Sequence, residues 1–360
     1  MEKVGIAMCN PDPNFWFGRS VFVTGHTGFK GGWIALWLTK LGAKVYGYSL
    51  SPPTEKSFFG ETQLQKKLTH SVFGDVRDLD KICKAMQEAK PSIVLHMAAQ
   101  SLVRKSYDFP VETFTTNLIG TVNLFEAARA TDTVEAIVNI TTDKCYENQE
   151  WDWSYRENDR LGGCDPYSSS KACSELATIA YRESFLKKAG VQIASARAGN
   201  VIGGGDWAKD RLIPDFLKAY DDGEVLHIRS PQSIRPWQHV LDPLCGYLLL
   251  SEKLVNRGSE FSQAWNFGPD ETGSKPVSWV IEYLGTKLSN SRWKHENILQ
   301  PHEAGLLKLD SSKAKKKLNW RPRWTLDTAL NQTVSWHQSW KKNGSMEEVS
   351  IKQIEAYEAA

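Results

Sequence analysis

The feature that most restricts the fold is a regular alternation of strand-like and helix-like segments over the first 200 residues. Short apolar runs such as SVFVTG and SIVLHM alternate with longer segments of helical apolar spacing, such as LDKICKAMQEAK. This alternation predicts an α/β fold, a Rossmann-like doubly wound parallel sheet with helices on both faces. Sheets of this kind bind ligands beyond the carboxyl ends of their strands.

The turn between the first strand and the first long helix has the sequence TGHTGFKG. Its glycines, Gly25, Gly28 and Gly31, are spaced Gly-x-x-Gly-x-x-Gly. Glycine permits positive φ and lets backbone N–H groups approach a pyrophosphate at a helix N-terminus. A lone glycine triplet is weak evidence, but here a strand precedes it and a helix follows it, as a dinucleotide site requires.

The pattern changes after residue 200, where tryptophan, proline and arginine become frequent and helical runs become shorter. We therefore predict two domains. Residues 1–198, with a returning segment near 233–264, form the dinucleotide-binding domain. Residues 199–360 form a smaller mixed α/β domain that covers the strand ends and binds substrate.

Composition narrows the functional classes. The net charge of +2 over 360 residues indicates no general attraction to nucleic acid or to a membrane surface. We find no run long and apolar enough to span a bilayer. The six cysteines are scattered without a metal-binding spacing, which favours reduced thiols, a cytoplasmic location and no metal site.

Polar residues follow the buried strand in NITTDKCYEN, where Thr142, Asp143 and Lys144 stand together. Taken alone, such residues are more often a solvated turn. In YSSSK, Tyr167 and Lys171 share one helix face, and a lysine cation would lower the pKa of the phenol and make it a usable base. A solvated helix face is the alternative for this pair, but the preceding dinucleotide motif argues against it.

These motifs, with GDVRD, HMAAQ and TNLIGT, resemble the extended short-chain dehydrogenase/reductase family and cover most of the first 200 residues. The family's acidic ribose contact after the second strand is missing, because Ser49 stands there. No arginine for a 2′-phosphate follows closely, so we expect NAD rather than NADP. The resemblance implies cofactor contacts from Gly25, Thr27, Gly28, Phe29, Gly31, Ser49, Asp75, Val76, Ala98, Ala99, Gln100, Asn117, Tyr167 and Lys171.

The resemblance also gives the polar strand end a role. A sugar epimerase removes and returns one hydride, so it needs no acid–base pair in addition to its tyrosine and hydroxyl. A nucleotide-sugar 4,6-dehydratase must also remove a carbon-5 proton and protonate the carbon-6 hydroxyl. Such dehydratases commonly carry Thr-Asp-Glu. Thr142-Asp143-Lys144 resembles the branch that acts on CDP-D-glucose, with Asp143 as general acid and Lys144 in the place of the base. Alternatively, Lys144 stays charged and stabilises the enolate while another group takes the proton.

By the same resemblance, the substrate would be CDP-D-glucose, on a route to deoxysugars of polysaccharides such as O-antigen. Two other readings remain: another nucleotide-sugar dehydratase or epimerase of the family, or a non-catalytic dinucleotide-binding regulator. Intact Tyr167 and Lys171 argue against the regulator. The residues that the resemblance implies for substrate binding are Ser101, Arg104, Asn200, Arg211, Arg235 and His302.

The helix from Tyr167 to Lys188 carries an apolar stripe at roughly helical spacing, formed by Ala172, Leu176, Ile179 and Phe185. The stripe is either an ordinary core-facing surface or, as in this family, part of a four-helix bundle between subunits. In that bundle the second helix spans Thr116 to Ala130. We therefore expect a homodimer or a tetramer.

Overall fold

The computed structural model describes residues 9–296 and 306–360. The described residues form fourteen α-helices: α1 (Pro13–Trp16), α2 (Phe29–Lys40), α3 (Phe58–Glu61), α4 (Leu79–Ala89), α5 (Val103–Asp108), α6 (Pro110–Phe114), α7 (Gly120–Arg129), α8 (Pro166–Tyr181), α9 (Leu212–Asp222), α10 (Leu241–Arg257), α11 (Val277–Lys287), α12 (Ser312–Lys317), α13 (Leu326–Lys341) and α14 (Met346–Glu358). They also form twelve strands: β1 (Ser20–Thr24), β2 (Lys44–Ser49), β3 (His70–Phe73), β4 (Ile93–His96), β5 (Ala136–Ile140), β6 (Gln192–Ala198), β7 (Asn200–Ile202), β8 (Val225–Ile228), β9 (Ile234–His239), β10 (Ala264–Phe267), β11 (Ser274–Pro276) and β12 (Arg292–His295).

The main sheet contains seven of the described strands in the order β10-β6-β5-β4-β1-β2-β3. Its neighbouring strands run parallel, with registers such as Val21 opposite Val45 and Ile93 opposite Ala136. Helices cover both faces, so the central strands are apolar and buried. This arrangement confirms the parallel, doubly wound sheet that the alternating sequence predicts.

Strand β5 lies between β4 and β6, and each of its five residues is buried. The strand is followed by Thr141 and Thr142 and then by a single 3₁₀ turn, Asp143–Cys145, at the carboxyl edge of the sheet. The Thr142 hydroxyl caps this turn by accepting a hydrogen bond from the Lys144 backbone N–H at 3.3 Å. The polar residues are therefore held by the end of a buried strand instead of lying in a loose surface loop.

The segment VQIASARAGNVIG, which the sequence predicts as one strand, is divided in two. Strand β6 belongs to the main sheet, whereas β7 pairs with β9 in a separate three-stranded sheet. The break falls at Gly199, where an added Cβ would lie 2.7 Å from Cγ of Pro236 and 3.1 Å from Oδ2 of Asp143. The chain changes sheets at a position where only glycine permits so close an approach of the backbone to Pro236 and to the turn that carries Asp143.

The helix predicted over TFTTNLIGTVNLFEAARA is also interrupted. Helices α6 and α7 are separated by a π-helical turn, Thr115–Ile119, and a second π-turn, Arg182–Leu186, follows α8. The first π-turn carries Asn117, whose side-chain amide bonds both backbone groups of Gln100, with distances of 2.9 Å to N and to O. Such turns insert an extra residue into a helix and are frequent at functional sites.

The second half of the chain contributes to the main sheet. Strand β10 pairs with β6, with Ala264 opposite Ser195, and α10 packs against β5 and β6. The returning chain therefore reaches Phe267, beyond residues 233–264. Within the described ranges, no helix is both long and apolar enough to cross a membrane. The same ranges hold no cluster of three or more metal-ligating side chains.

Candidate active site

Helix α8 begins just before two of the predicted site residues, and its N-terminus is fixed by a capping box. The Asp165 carboxylate accepts a hydrogen bond from the Ser168 backbone N–H at 2.9 Å, and the Ser168 hydroxyl pairs with Asp165 in return. Pro166 occupies the first helical position, where its missing N–H costs nothing. This cap sets the direction of Tyr167 and Lys171, which are both buried.

Lys171 points under the end of the neighbouring strand. Its ammonium donates a hydrogen bond, at 3.2 Å, to the backbone carbonyl of Ile140, which is the last residue of β5. Burial lowers the pKa of Lys171 to about 8, and the nearby Glu175 carboxylate opposes this decrease. The lysine therefore holds much of its charge near neutral pH while tying α8 to β5.

The sequence-based expectation for Tyr167 is wrong in one respect. Burial raises the pKa of its phenol to about 12, although hydrogen bonding to Thr142 opposes the increase. Asp143 adds to the increase by charge repulsion, and Arg211 counteracts it. Desolvation is the largest of these effects, so the tyrosine needs a further positive charge in the cleft before it can serve as a base near neutral pH.

Asp143 lies beside Thr142 and is 3% exposed. The Thr142 hydroxyl donates a hydrogen bond to its Oδ1 at 3.0 Å. Burial raises the pKa of the Asp143 carboxyl above its usual value, against the opposing charges of Lys144 and Arg235. A carboxyl with a raised pKa keeps its proton more readily, which is the property a general acid requires.

Lys144 follows in the same 3₁₀ turn and is partly exposed. Its side chain is close enough to Asp143 for its charge to oppose the increase in the pKa of that carboxyl. Its role as the base remains a prediction.

A buried ion pair below the site was missed by the sequence reasoning. Glu175 and Arg197 are each 1% exposed and are joined by two hydrogen bonds, at 2.9 Å through Nε and 2.8 Å through Nη2. Glu175 also accepts from the Thr141 hydroxyl, and Arg197 donates to the Tyr146 hydroxyl at 2.7 Å. The pair thus braces the strand end on both sides of Thr142 and Asp143. A signal was available, since Glu175 continues the helix face of Tyr167 and Lys171 at a further four-residue step.

The glycine turn leaves an open cradle at the start of α2. Gly25 has φ of +76°, and a Cβ on Gly31 would lie 2.0 Å from the Gly25 carbonyl oxygen. Helix α2 begins after Gly28, which provides no side-chain cap for its first N–H groups. Uncapped helix N–H groups are a favourable place for a pyrophosphate, so the residues present fit a dinucleotide.

The other predicted cofactor residues surround this cradle. Thr27 bonds Ser49 at 2.8 Å between the two hydroxyls, which places Ser49 at the end of β2 beside the turn. Asp75 is held by Arg77 and has a lowered pKa because of that hydrogen bond. Ala98 follows β4 and lies beside the end of β1, where its backbone N–H donates a hydrogen bond to the Thr24 hydroxyl at 3.1 Å. Of the remaining members, Phe29 begins α2, Val76 lies in the loop after β3, Ala99 and Gln100 lie in the loop after β4, and Asn117 lies in the π-turn before α7.

Lys30, in the first turn of α2, is a second residue that the sequence reasoning missed. Its ammonium donates to the Tyr247 hydroxyl at 3.1 Å. Burial, with repulsion from Lys171 and Arg211, lowers the pKa of Lys30 to about 7. A cation at the positive end of a helix is unfavourable, and this charge in an otherwise apolar helix start is a signal that could have been noticed.

The predicted substrate residues form a second group, on the side facing the sheet edge. Arg211 bonds Asp206 at 2.8 Å and the Ser101 hydroxyl at 2.9 Å, and Asp206 raises its pKa. Arg104 pairs with Asp210 at 2.9 Å between Nη1 and Oδ1. Each of these guanidinium groups is therefore held by a carboxylate of this chain.

Arg235 and Asn200 lie on adjacent strands, since β7 and β9 pair with Asn200 opposite Trp237. Arg235 is buried, and its charge counteracts the raised pKa of Asp143, so it faces the catalytic turn. His302 lies outside the described residues.

Comparison with known proteins places these features in a family. The family model for GDP-mannose 4,6 dehydratase matches residues 22–333. The chain is 50% identical to the CDP-glucose 4,6-dehydratase of Salmonella typhimurium over 355 residues, which cover 97% of this chain and 99% of that protein. It is 27% identical to the dTDP-glucose 4,6-dehydratase of Haemophilus influenzae over 73% of this chain and 81% of that protein.

A solved structure has the same fold. The dTDP-glucose 4,6-dehydratase DesIV of Streptomyces venezuelae, determined with NAD and TYD bound, superimposes with a TM-score of 0.77. The superposition covers 91% of this chain and 99% of that one, at 22% sequence identity.

Proposed function

This chain belongs to the GDP-mannose 4,6 dehydratase family, and we propose that it is a lyase that converts CDP-D-glucose to CDP-4-dehydro-6-deoxy-D-glucose. The observation that carries the proposal is the buried Asp143 carboxyl, hydrogen-bonded to Thr142 beside Tyr167. A tyrosine that can take the carbon-4 hydroxyl proton and an acid that can donate a proton, placed at one strand end, are what oxidation followed by water elimination needs from the side chains. The choice of CDP-D-glucose rests on the 50% identity with the Salmonella enzyme.

NAD is the proposed resident cofactor. Bound there, NAD would supply the hydride transfer from carbon 4 of the sugar to carbon 6. The uncapped start of α2 and the glycine turn fit its pyrophosphate. Ser49 stands where an acidic ribose contact would be, and its hydroxyl is already paired with Thr27. A 2′-phosphate finds no arginine next to Ser49 in the sequence, which favours NAD over NADP.

The side chains divide the proton chemistry among them. Tyr167 takes the proton of the carbon-4 hydroxyl, and the Thr142 hydroxyl orients that oxygen. Asp143 then protonates the departing carbon-6 hydroxyl, which leaves as water. A positioned acid or base contributes on the order of a hundred- to ten-thousand-fold in rate.

Lys144 is the proposed acceptor of the carbon-5 proton. If it instead stays charged, it stabilises the enolate and another group takes the proton. Lys144→Met separates these cases. If Lys144 is the base, the variant should slow exchange of the carbon-5 proton with deuterated solvent. If Lys144 only stabilises the enolate by its charge, the variant should slow elimination without a specific loss of that exchange.

The arginines on the opposite side of the site are proposed to hold the nucleotide diphosphate. Arg211 reaches the catalytic centre, since its charge acts on Tyr167. Arg235 does so through Asp143. Two guanidinium groups provide a bidentate grip on pyrophosphate oxygens. Arg104, Ser101 and Asn200 lie beside this group and are proposed to contact the sugar.

We also propose that the enzyme is a homodimer or a tetramer. In the apolar stripe of α8 and the turn after it, Ala172 is buried but Leu176, Ile179 and Phe185 are exposed. The structure therefore turns three of these four residues away from the core. A monomer by light scattering at assay concentration would contradict the proposal.

The deciding experiment offers the enzyme a panel of CDP-glucose, dTDP-glucose, UDP-glucose and GDP-mannose, with product analysis by NMR. We expect a 4-keto-6-deoxy product, the highest kcat/KM for CDP-glucose and no net accumulation of NADH. Deuterium placed at carbon 4 should reappear at carbon 6. An epimerase would return a product that keeps its carbon-6 oxygen, a simple dehydrogenase would release stoichiometric NADH, and a regulator would bind nucleotide without turnover.

A further inference from the structure

Lys30 is a cation in a place where a helix disfavours one. It lies in the first turn of α2, the helix that begins at the glycine turn of the dinucleotide cradle. The partial positive charge of a helix N-terminus repels cations. The Lys30 ammonium nevertheless donates a hydrogen bond to the Tyr247 hydroxyl at 3.1 Å and lies 5.2 Å from the centre of the Tyr247 ring. Tyr247 is fully buried, so it holds this charge in one place.

Lys30 and Tyr167 approach the edge of the main sheet from opposite faces. The β1 side chains Val21 and Val23 pack in one core with α2 and α10, whereas Phe22 packs in a second core with α4 and α7. Helix α8, which carries Tyr167, contacts α7 on the second face. Tyr167 is proposed to act on the sugar, whereas Lys30 belongs to the face on which the cofactor cradle begins.

The charges around Lys30 are unbalanced in the chain alone. Lys171 and Arg211 repel its ammonium, and Asp143 attracts it. Burial and the two cations lower the pKa of Lys30 to about 7. An anionic dinucleotide would supply the missing negative charge and favour the charged ammonium. Because the Lys30 charge interacts with Lys171 and Asp143, it acts between the cradle and the residues proposed for the chemistry.

A cation in this position affects the two redox forms of a nicotinamide dinucleotide differently. The diphosphate is anionic in both forms, but the nicotinamide ring is a cation in NAD⁺ and neutral in NADH. We propose that Lys30 is a redox-tuning residue, whose ammonium disfavours the oxidised ring and makes bound NAD a stronger hydride acceptor; this rests on the proposed function. The hydride still carries both electrons from carbon 4 to the ring, and Lys30 itself gains and loses no atom.

Such tuning suits the proposed reaction. Its first step oxidises a secondary alcohol, and near neutral pH the equilibrium of that step favours NAD⁺ and the alcohol. A cation that favours NADH shifts this step towards the ketone from which water is eliminated. This gain gives a reason for a lysine at a helix N-terminus that would by itself be better without one.

The test measures equilibrium binding instead of turnover. The enzyme is incubated with NAD⁺ and NADH in a known ratio until the resident cofactor has exchanged, and the two forms that the protein retains are quantified by chromatography. Two unit charges about 10 Å apart, at an effective dielectric constant of about 20, interact strongly enough to change an equilibrium about tenfold. Lys30→Met should therefore shift the bound ratio about tenfold towards NAD⁺. Lys30→Arg keeps the charge and should stay within about twofold of wild type.

Lys40→Met is the matched control, because it removes the cation at the other end of the same helix, where Lys40 pairs with Glu358. The rise of an α-helix places Lys40 about 15 Å from Lys30 along the axis, which exceeds the screening length at physiological salt. This variant should bind the two forms in the wild-type ratio.

A bound ratio in Lys30→Met within about threefold of wild type, or an equal shift in Lys30→Arg, would overturn the redox role. Loss of a merely structural contact would weaken the binding of both forms alike and leave their ratio unchanged. If Lys30→Met melts well below wild type, Lys30→Gln provides the same comparison. Failure of wild type to bind either form would instead refute the proposed cofactor.

Discussion

The catalytic end of β5 and the arginine-bearing segments opposite it are built in contrasting ways. At the strand end, Thr142, Asp143 and Tyr167 are buried and joined to one another, and Glu175 and Arg197 brace them from below. On the opposite side, Arg104 and its partner Asp210 have side chains 37% and 40% exposed. The first region has few alternative arrangements, whereas the pair of Arg104 and Asp210 in the second region is already solvated by water.

The contrast indicates how work is divided in the site. Buried groups keep their geometry without substrate, which suits proton transfers that depend on short distances. The exposed pair of Arg104 and Asp210 can open towards substrate groups at modest cost, because surface ion pairs contribute little. We therefore expect rate to depend on the first region and substrate affinity on the second.

The largest effect is expected for Tyr167→Phe. Loss of the phenolic base should slow carbon-4 oxidation by about a hundred- to ten-thousand-fold, while the affinity for CDP-glucose changes little. Single-turnover product formation and equilibrium binding measure the two quantities. A variant that keeps more than a tenth of the wild-type rate would remove the tyrosine from the chemistry and with it the proposed division of work.

Glu175→Gln tests whether the brace below the site is structural. Removing one charge of a buried pair typically costs about 3–5 kcal/mol, so the free energy of unfolding should fall by an amount of that order. The control is Asp222→Asn, which removes a carboxylate from the exposed pair with Lys218 and should change stability by less than about 1 kcal/mol. Similar losses in both variants would contradict the contrast between buried and exposed pairs.

The same pair predicts a pH dependence. Burial alone would raise the pKa of Glu175, but Arg197 and the hydrogen bonds of Ser195 and Thr141 lower it below the usual value of 4.5. A carboxylate with a lowered folded-state pKa stabilises the fold above its unfolded pKa and loses that contribution as pH falls towards the folded value. The free energy of unfolding, measured in urea, should therefore differ between wild type and Glu175→Gln by a constant amount above about pH 5. That difference should become smaller in more acidic solution.

Arg211→Gln should act on affinity instead of rate. Loss of charged hydrogen bonds to the diphosphate is expected to cost about 1.5–3 kcal/mol, which corresponds to roughly ten- to a hundredfold weaker binding of CDP-glucose. Titration with the nucleotide sugar measures this change, and Arg321→Gln, at an exposed position between α12 and α13, is the control. An unchanged affinity with a reduced kcat would move Arg211 into the catalytic group.

The smallest effect is expected for the pair of Arg104 and Asp210. A double-mutant cycle to alanine should give a coupling free energy of about 0.2–1 kcal/mol that decreases with added salt. A coupling several times larger, insensitive to salt, would show that the segment opposite the strand end is as rigid as the strand end itself.

The features that sequence predicts well are those set by neighbours in the chain. The apolar runs of β1 and β5, the glycine spacing and the helix face shared by Tyr167 and Lys171 all follow from local periodicity. The break after β6 does not, because Gly199 is constrained by Pro236 from a distant strand. The raised pKa of Tyr167 is likewise a product of tertiary burial, which the spacing of Tyr167 and Lys171 in the sequence does not reveal.

The ion pair of Glu175 and Arg197 shows the same limit. The two residues occur in segments that read as an ordinary helix and an ordinary strand, and the contact exists because α8 crosses β6. The open start of α2, by contrast, could be anticipated, since both the glycines and the helix signal are local.

The position of β10 also bears on how a growing polypeptide completes this sheet. Strand β6 ends at Ala198, yet the strand that covers its outer edge is Ala264–Phe267. A nascent chain that has not reached Phe267 presents an unpaired row of β6 backbone groups, and such edges recruit strands from other chains. An isolated fragment ending at residue 198 should therefore aggregate, and during translation the nucleotide-binding half must wait for the second half before it is sealed.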